Sequence, residues 1–383
     1  MTGVIVHEWI EPTGGAENVV EAFCDIYPDA PLLCLWNDAP HRFEDVKVRE
    51  SVLARTPLRS RKALSLPFMP SVWRNQKATD IDWALVSSHL FAHHVQFKNF
   101  PDVEKFIYVH TPARYIWEPE LDARGAAIPV RAVAPLFRRI DRAVARGPHR
   151  SYAANSKYVS RRIARCWDVE ATVIYPPVDV TRIQSKTYWL DSLNGAEVEI
   201  ISSLPSEFIF AASRLVEYKN IDAAIRAGEV TDTPVVIAGD GPDRSRLEYL
   251  AQDAGVPVHF LGRVSDEMLY ALFQQCTVYV FAAIEDFGIM PVEAMAAGAG
   301  VVANQIGGTS ESVVDGVTGA LCVPDDLASL RRAVELAASC DASKSRARAR
   351  EFSVGSFCGA VTEWVGPQRT SRTAAAEVEG EGR

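Results

Sequence analysis

EDFGIMPVE, residues 285–293, sets two carboxylates eight positions apart across an apolar turn that contains a glycine. Pro291 suits a helix start, where its missing N–H would be unpaired anyway, and residues 292–297 (VEAMAA) are strong helix formers. Glu285 is therefore expected before a helix and Glu293 inside its first turn. A helix start offers unpaired N–H groups and about half a positive charge, so this turn can hold a diphosphate while its carboxylates bind neighbouring hydroxyls. Gly288 is expected to let a ligand approach the backbone. A glutamate in a first turn is also favoured by the helix dipole alone, so the pattern by itself fits a plain helix start as well.

Working outward, apolar runs at 208–212, 235–238, 259–261, 278–281 and 300–304 alternate with helical stretches, and so do runs at 4–6, 32–35, 83–87 and 106–109. Strands alternating with helices predict parallel, doubly wound sheets. The 383 residues suggest two domains. TVIYPPVD (172–179) closes the first, because paired prolines forbid helix, and a hinge is expected between Asp179 and Ser206. The boundaries are an N-terminal Rossmann-like acceptor-side domain at 1–180, a C-terminal donor domain at 181–350, a helical segment at 351–365 that packs back on the N-domain, and a disordered tail at 366–383. In such folds ligands bind at the carboxyl ends of the strands, here expected around one central cleft.

Composition narrows the function. The chain is 48% hydrophobic and 23% charged, and no apolar run reaches the roughly 18 residues of a membrane span, so a cytoplasmic protein is expected. Seven scattered cysteines form no C-x-x-C pair and no zinc spacing, and read as reduced and buried. Net charge is −9, with 23 Lys and Arg against 21 Asp and Glu over residues 1–180 and 17 against 28 over the rest. That balance argues against general nucleic-acid binding. Residues 131–165 nevertheless hold ten Lys or Arg against the single acid Asp141, interleaved with apolar residues. Such a segment fits a peripheral contact with anionic lipid at the inner face of a membrane, or a solvated helix face over the core.

Other residues carry candidate chemistry. In AASRLVEYKNIDAAI (211–225) Arg214 and Lys219 follow a strand, where a forked donor and a point charge can clamp a diphosphate or simply be solvated. PTGGAEN (12–18) puts Gly14 and Gly15 at a strand-to-helix junction, and YVHTPARYIWE (108–118) ends an apolar strand on His110, with Arg114 and Tyr115 on the same loop. A lone histidine there fits a structural role equally well. Gly239-x-Gly241 lacks the third glycine of a dinucleotide fingerprint, and Asp80-Ile81-Asp82 reads as a polar turn rather than a metal site.

These strings together resemble the retaining family 4 (group 1) glycosyltransferases, and the resemblance runs through nearly the whole chain. EDFGIMPVE with GGTSESVVDGVTGAL (307–321) resembles the family's E-x7-E region, SRLVEYKN its S-R-L-x-x-x-K-N segment, GGAE its glycine loop, and HTPARYIW the H-T-P-x-R-Y-x-W string of bacterial mannosyltransferase-like members. The resemblance implies an α/β GT-B fold with two Rossmann-like doubly wound domains facing a central cleft. It assigns Arg214 and Lys219 to the donor phosphates, and Glu285 with the N–H groups of Phe287, Gly288 and Ile289 to the donor hexose. Glu293 falls to the ribose, Arg263 and Val264 to the base, and Gly14, Gly15 and His110 to the region of the transferred sugar. It implies a nucleotide-sugar co-substrate, best guessed as GDP-mannose, a saccharide or lipid-linked acceptor, and neither metal nor other cofactor. One position departs from the pattern: Ala299-Gly300 stand where the family usually has a proline, so a looser loop is expected. An epimerase or phosphorylase on the same fold, or a non-catalytic nucleotide-sugar-binding subunit, shares these features.

Overall fold

Strand β1 (Gly3–His7) shows how the architecture arises: Val4 and Val6 enter one apolar cluster and Ile5 another, so the strand is buried on both faces. A central strand of a parallel sheet covered by helices needs this pattern. A computed structural model describes residues 2–118 and 128–366. The chain divides into two compact units, one built from residues up to Pro177 and from Phe357 onward, the other from Val178 to Ser356.

The first unit continues with β2 (Leu32–Cys34), β3 (Val48–Glu50), β4 (Trp83–Ser88), β5 (Glu104–Val109), β6 (Arg150–Ala154) and β7 (Thr172–Val173), in the order β3-β2-β1-β4-β5-β6-β7. Each strand pair is parallel. The second unit holds β8 (Ile209–Ala212), β9 (Val235–Ala238), β10 (Val258–Gly262), β11 (Val278–Phe281), β12 (Val301–Asn304) and β13 (Gly319–Cys322), in the order β10-β9-β8-β11-β12-β13, again parallel. In both sheets the order of strand addition reverses once, between β1 and β4 and between β8 and β11. A loop-lined crevice opens at such a switch point.

The helix Val354–Val365 explains why the chain returns to its first unit. Phe357, Val361 and Val365 recur every four residues and are buried, and the Phe357 ring lies 5.8 Å from Phe23 and 5.7 Å from Tyr108. Trp364 Nε1 donates to Ser151 Oγ at 2.8 Å. The tail expected to be disordered lies, apart from Gly366, outside the described residues.

The hinge expected at 179–206 is largely structured within the second unit. It forms the helices Val180–Gln184 and Gly195–Ser202, the latter with a reciprocal capping box between Asn194 and Glu197. Trp189 is buried against Tyr270, ring centroids 4.9 Å apart. That anchor holds the segment against the second unit. The Ala299-Gly300 turn is likewise closed, with Ala299 buried and its N–H donating to Ala294 O at 2.9 Å. Asp80 and Asp82 form the polar turn expected of them, accepting from Thr2 Oγ1 and Thr2 N. Among the described residues no helix is long and apolar enough to cross a membrane.

Candidate functional site

In the second unit the predicted residues gather at the carboxyl edge of the sheet. Arg214 stands two residues past the end of β8, and Lys219 closes a single helical turn, Glu217–Lys219. Glu285 lies on the loop after β11, the neighbour of β8 across the switch point. Lys219 Nζ reaches Glu285 Oε1 at 2.5 Å, with both side chains mostly buried. Two residues 66 positions apart in sequence thus meet where this fold places its ligands. Arg214 is exposed, with Nη2 reaching Tyr218 OH at 3.5 Å. Arg263 is exposed and Val264 half-buried on the loop after β10, just before the helix Asp266–Gln275 that Ser265 caps.

Two details of the Glu285–Glu293 turn differ from expectation. The helix begins at Ile289, so Glu293 is its fifth residue and lies beyond the first turn. Pro291 fits at the third position because the first four N–H groups of a helix have no intrahelical partner. Glu293 is therefore held away from the positive helix end, and burial, then the nearby Asp266 charge, raise its pKa to about 7. It accepts no hydrogen bond among the described residues. Gly288 has φ +89°, and a Cβ there would come within 2.5 Å of Thr309 Oγ1, so packing within the unit by itself requires the missing side chain. The two loops are stitched together: Gly308 N donates to Glu285 O at 2.7 Å and Thr309 Oγ1 to Phe287 O at 3.0 Å. The Phe287 ring is buried beside Phe352, leaving only its backbone as a candidate contact. Ile289 is half-buried at the helix start. The loop 307–309 thus holds the Glu285–Phe287 turn in place, a contact that motif reading did not indicate.

In the first unit Gly14 and Gly15 are exposed at the start of the helix Gly15–Ile26. The carboxylate of Glu17 folds beneath Gly14 and accepts the Glu11 N–H at 3.0 Å, and burial raises its pKa. His110 ends β5. Its Nε2 lies 2.8 Å from Ser87 Oγ, which also meets His7 Nδ1 at 3.0 Å. Burial, with His89 and His7 adding to it, depresses the His110 pKa well below 6.5, so the ring is neutral near neutrality. Arg114 starts the short helix Arg114–Trp117; the Tyr115 side chain lies outside the described residues.

Two further clusters escape a motif search because their members are far apart in sequence. Glu8, fully buried after β1, accepts the N–H groups of His89, Leu90 and Ala92 at 3.2, 2.9 and 2.7 Å. Asp141 accepts His93 Nε2 and His94 Nε2 on Oδ1 at 2.9 and 2.8 Å, and Trp117 Nε1 and Trp167 Nε1 on Oδ2 at 2.8 and 2.7 Å. Burial opposes the Asp141 charge, but the two imidazoles outweigh it and hold the carboxyl well below its usual range. His7–Glu8–His89 and His93–His94–Asp141 are spaced closely enough to ligate a metal ion. Their carboxylates are already met by N–H donors, which fits hydrogen-bonded scaffolding.

Residues 199–353 match the model of the glycosyl transferases group 1. The match lies within the second unit. The predicted Arg214, Lys219, Glu285 and Glu293 all fall inside it. Among curated relatives, the D-rhamnosyltransferase WbpZ of Pseudomonas aeruginosa is 38% identical over 122 residues, covering 30% of this chain and 32% of that protein. The GDP-mannose-dependent alpha-(1-6)-phosphatidylinositol monomannoside mannosyltransferase of Mycolicibacterium smegmatis is 34% identical over 141 residues, covering 33% and 37%. The chain thus spans about a third of the length of these curated relatives. Among solved structures, HepE of Anabaena in complex with UDP superposes with TM-score 0.70 at 18% identity, covering 95% of this chain and 99% of that one. The lipopolysaccharide outer core galactosyltransferase WaaB gives 0.66 at 16%, covering 95% and 99%. The fold is accordingly α/β with two Rossmann-like units, the GT-B fold that these solved structures share.

Proposed function

We propose that the chain is a retaining, metal-independent hexosyltransferase that moves a hexose from a nucleotide sugar to a hydroxyl of a saccharide, lipid-linked saccharide or small-molecule acceptor. The carrying observation is the Lys219–Glu285 pair at the β8/β11 switch point, with Arg214 on the loop after β8 and Glu293 in the helix that follows the Glu285 loop. On this reading the pair holds both groups in position before the donor binds. An arriving diphosphate competes with Glu285 for Lys219, and the released carboxylate accepts hydrogen bonds from hexose hydroxyls. Arg214 and Lys219 then stabilise the charge that grows on the departing nucleoside diphosphate. Attack comes from the face the leaving group vacates, and the leaving phosphate takes the acceptor proton. Glu293 binds the ribose as a carboxylate, Arg263 and Val264 flank the base, and neutral His110 is carried as a contact of the transferred sugar.

GDP-mannose is the proposed donor. It rests on the HTPARYIW string, and the M. smegmatis relative, named for its dependence on GDP-mannose, supports it. The test is release of nucleoside diphosphate from a panel of GDP-, UDP- and dTDP-hexoses, with and without extracted lipid-linked saccharide acceptors. Acceptor-dependent release with GDP-mannose, and a product whose anomeric configuration matches the donor, is the expected result. Release with an inverted product would overturn the retaining assignment, and turnover only of another donor would overturn the mannosyl one.

A further inference from the structure

His110 is tied to two residues that strand register brings beneath it. In the parallel strands β1, β4 and β5, His7 stands opposite Ser87 and Ser87 opposite Tyr108, so their side chains share one face of the sheet. His110 follows two residues past Tyr108, where alternation returns it to that face. Ser87 Oγ meets His7 Nδ1 at 3.0 Å and His110 Nε2 at 2.8 Å, its only partners among the described residues. His7 and Ser87 are fully buried. His7 Nε2 is buried too and has no partner, because the neighbouring Glu8 carboxylate is taken up by three backbone N–H groups. His110 is half-buried, and its Nδ1 makes no hydrogen bond among the described residues.

A serine hydroxyl has one proton, and each neutral imidazole has one N–H and one bare nitrogen, so few arrangements exist. If His7 donates from Nδ1, Ser87 donates on to His110 Nε2, and His110 carries its proton on Nδ1. The orphaned His7 Nε2 is then a lone pair. Reversing both bonds protonates His110 on Nε2 and leaves a His7 Nε2–H buried without an acceptor. If both rings donate to Ser87, its own O–H has no acceptor. Only the first arrangement uses every buried proton, and a buried donor left unmet is rarer in proteins than an unmet acceptor. We propose that Ser87 and His7 are positioning residues that hold His110 in its Nδ1–H tautomer, so that it presents a hydrogen-bond donor to an oxygen of the transferred sugar. The identity of that ligand rests on the hexosyltransferase reading; the tautomer does not.

The test reads the ring nitrogens directly, by long-range proton–nitrogen correlation NMR of the full-length, ligand-free protein with isotope-labelled histidines near neutral pH. His110 is picked out of the eight histidines by the signal lost in His110→Gln. A protonated Nδ1 and a bare Nε2 on His110 are expected. Ser87→Ala removes the O–H that meets Nε2, so the ring should move towards the Nε2–H form, and acceptor-dependent turnover should fall about three- to tenfold, the size of one neutral hydrogen bond. Ser87→Thr keeps the hydroxyl and should restore both. A wild-type His110 protonated on Nε2, or a tautomer unmoved by Ser87→Ala, would overturn the proposal. Unchanged turnover in a variant whose tautomer has moved would overturn the donor role. The spectrum needs neither donor nor acceptor, so an Nδ1–H ring in a protein without turnover would support the positioning of His110 and count against the transferase reading alone.

Discussion

The two units share one architecture and treat charge in opposite ways. In the second, the groups at the switch point are paired with each other or left without a hydrogen-bond partner, as with Lys219–Glu285 and Glu293. In the first, the carboxylates of Glu8 and Asp141 are buried and saturated by three backbone N–H groups and by four ring N–H groups. An exchangeable charge can be handed to a ligand. A saturated one holds elements in register and has nothing left to give.

The largest expected effect breaks the saturated side. Asp141→Ala would leave two imidazoles and two indoles facing an apolar void, and should cost about 3–5 kcal/mol of stability, read as a large fall in melting temperature. An unchanged melting curve would show that the cluster is not structural. Next comes the exchangeable side: Lys219→Ala or Arg214→Ala should lower turnover about a hundredfold or more, by analogy with loss of one donor to a developing anion. The melting temperature should move little in Arg214→Ala, because that side chain is exposed, and fall modestly in Lys219→Ala, because the mostly buried Glu285 carboxylate loses its partner. Near-normal turnover in either variant would count against the clamp.

The pH responses sharpen the contrast further. Burial lowers the pKa of His7 and His94 from 6.5 to about 4 and depresses that of His110. The unfolded chain then binds protons that the folded unit refuses, so the first unit should lose stability as pH falls from about 6.5 towards about 4, by up to about 1.4 kcal/mol per pH unit for each histidine. Glu293 acts in the opposite sense. Its folded pKa of about 7 exceeds the ordinary 4.5, so the stabilising difference is present below 4.5 and is lost as pH rises towards 7. Hydrogen exchange read separately over the two units at pH 5 and pH 8 should show opposite trends, and parallel trends would contradict the assignment. The smallest effect is Glu293→Gln. It should raise stability at pH 8 by on the order of 1–2 kcal/mol and change nothing near pH 4.

Much of the fold was legible because its central strands are apolar and bounded by turns: nine strands read from the sequence lie within a residue or two of their observed limits. Those missed had no such pattern. β3 is an exposed edge (VRE), β6 opens on Arg-Ser, β7 has two residues, and β13 (GALC) is short. Motif spacing put Arg214, Lys219 and Glu285 on the correct loops, since each follows a strand end. Their meeting was not readable, because it depends on the β8/β11 order that only the sheet supplies. Glu293 falls just past the expected first turn because the helix starts two residues before Pro291, and any of its first few positions tolerates proline. The Asp141 cluster left no sequence signal: its five members are drawn from residues 93–167, and only the packing of four helical segments brings them together.

The central claim is a nucleotide-sugar site at the carboxyl edge of the second sheet, and it is tested most directly by thermal stabilisation with a panel of nucleotide sugars on the wild type and Glu293→Ala. A midpoint shift of several degrees with one nucleotide family, absent in the variant, is predicted, since binding to the native state stabilises by mass action. No shift with any nucleotide sugar, or the same shift in the variant, would contradict it.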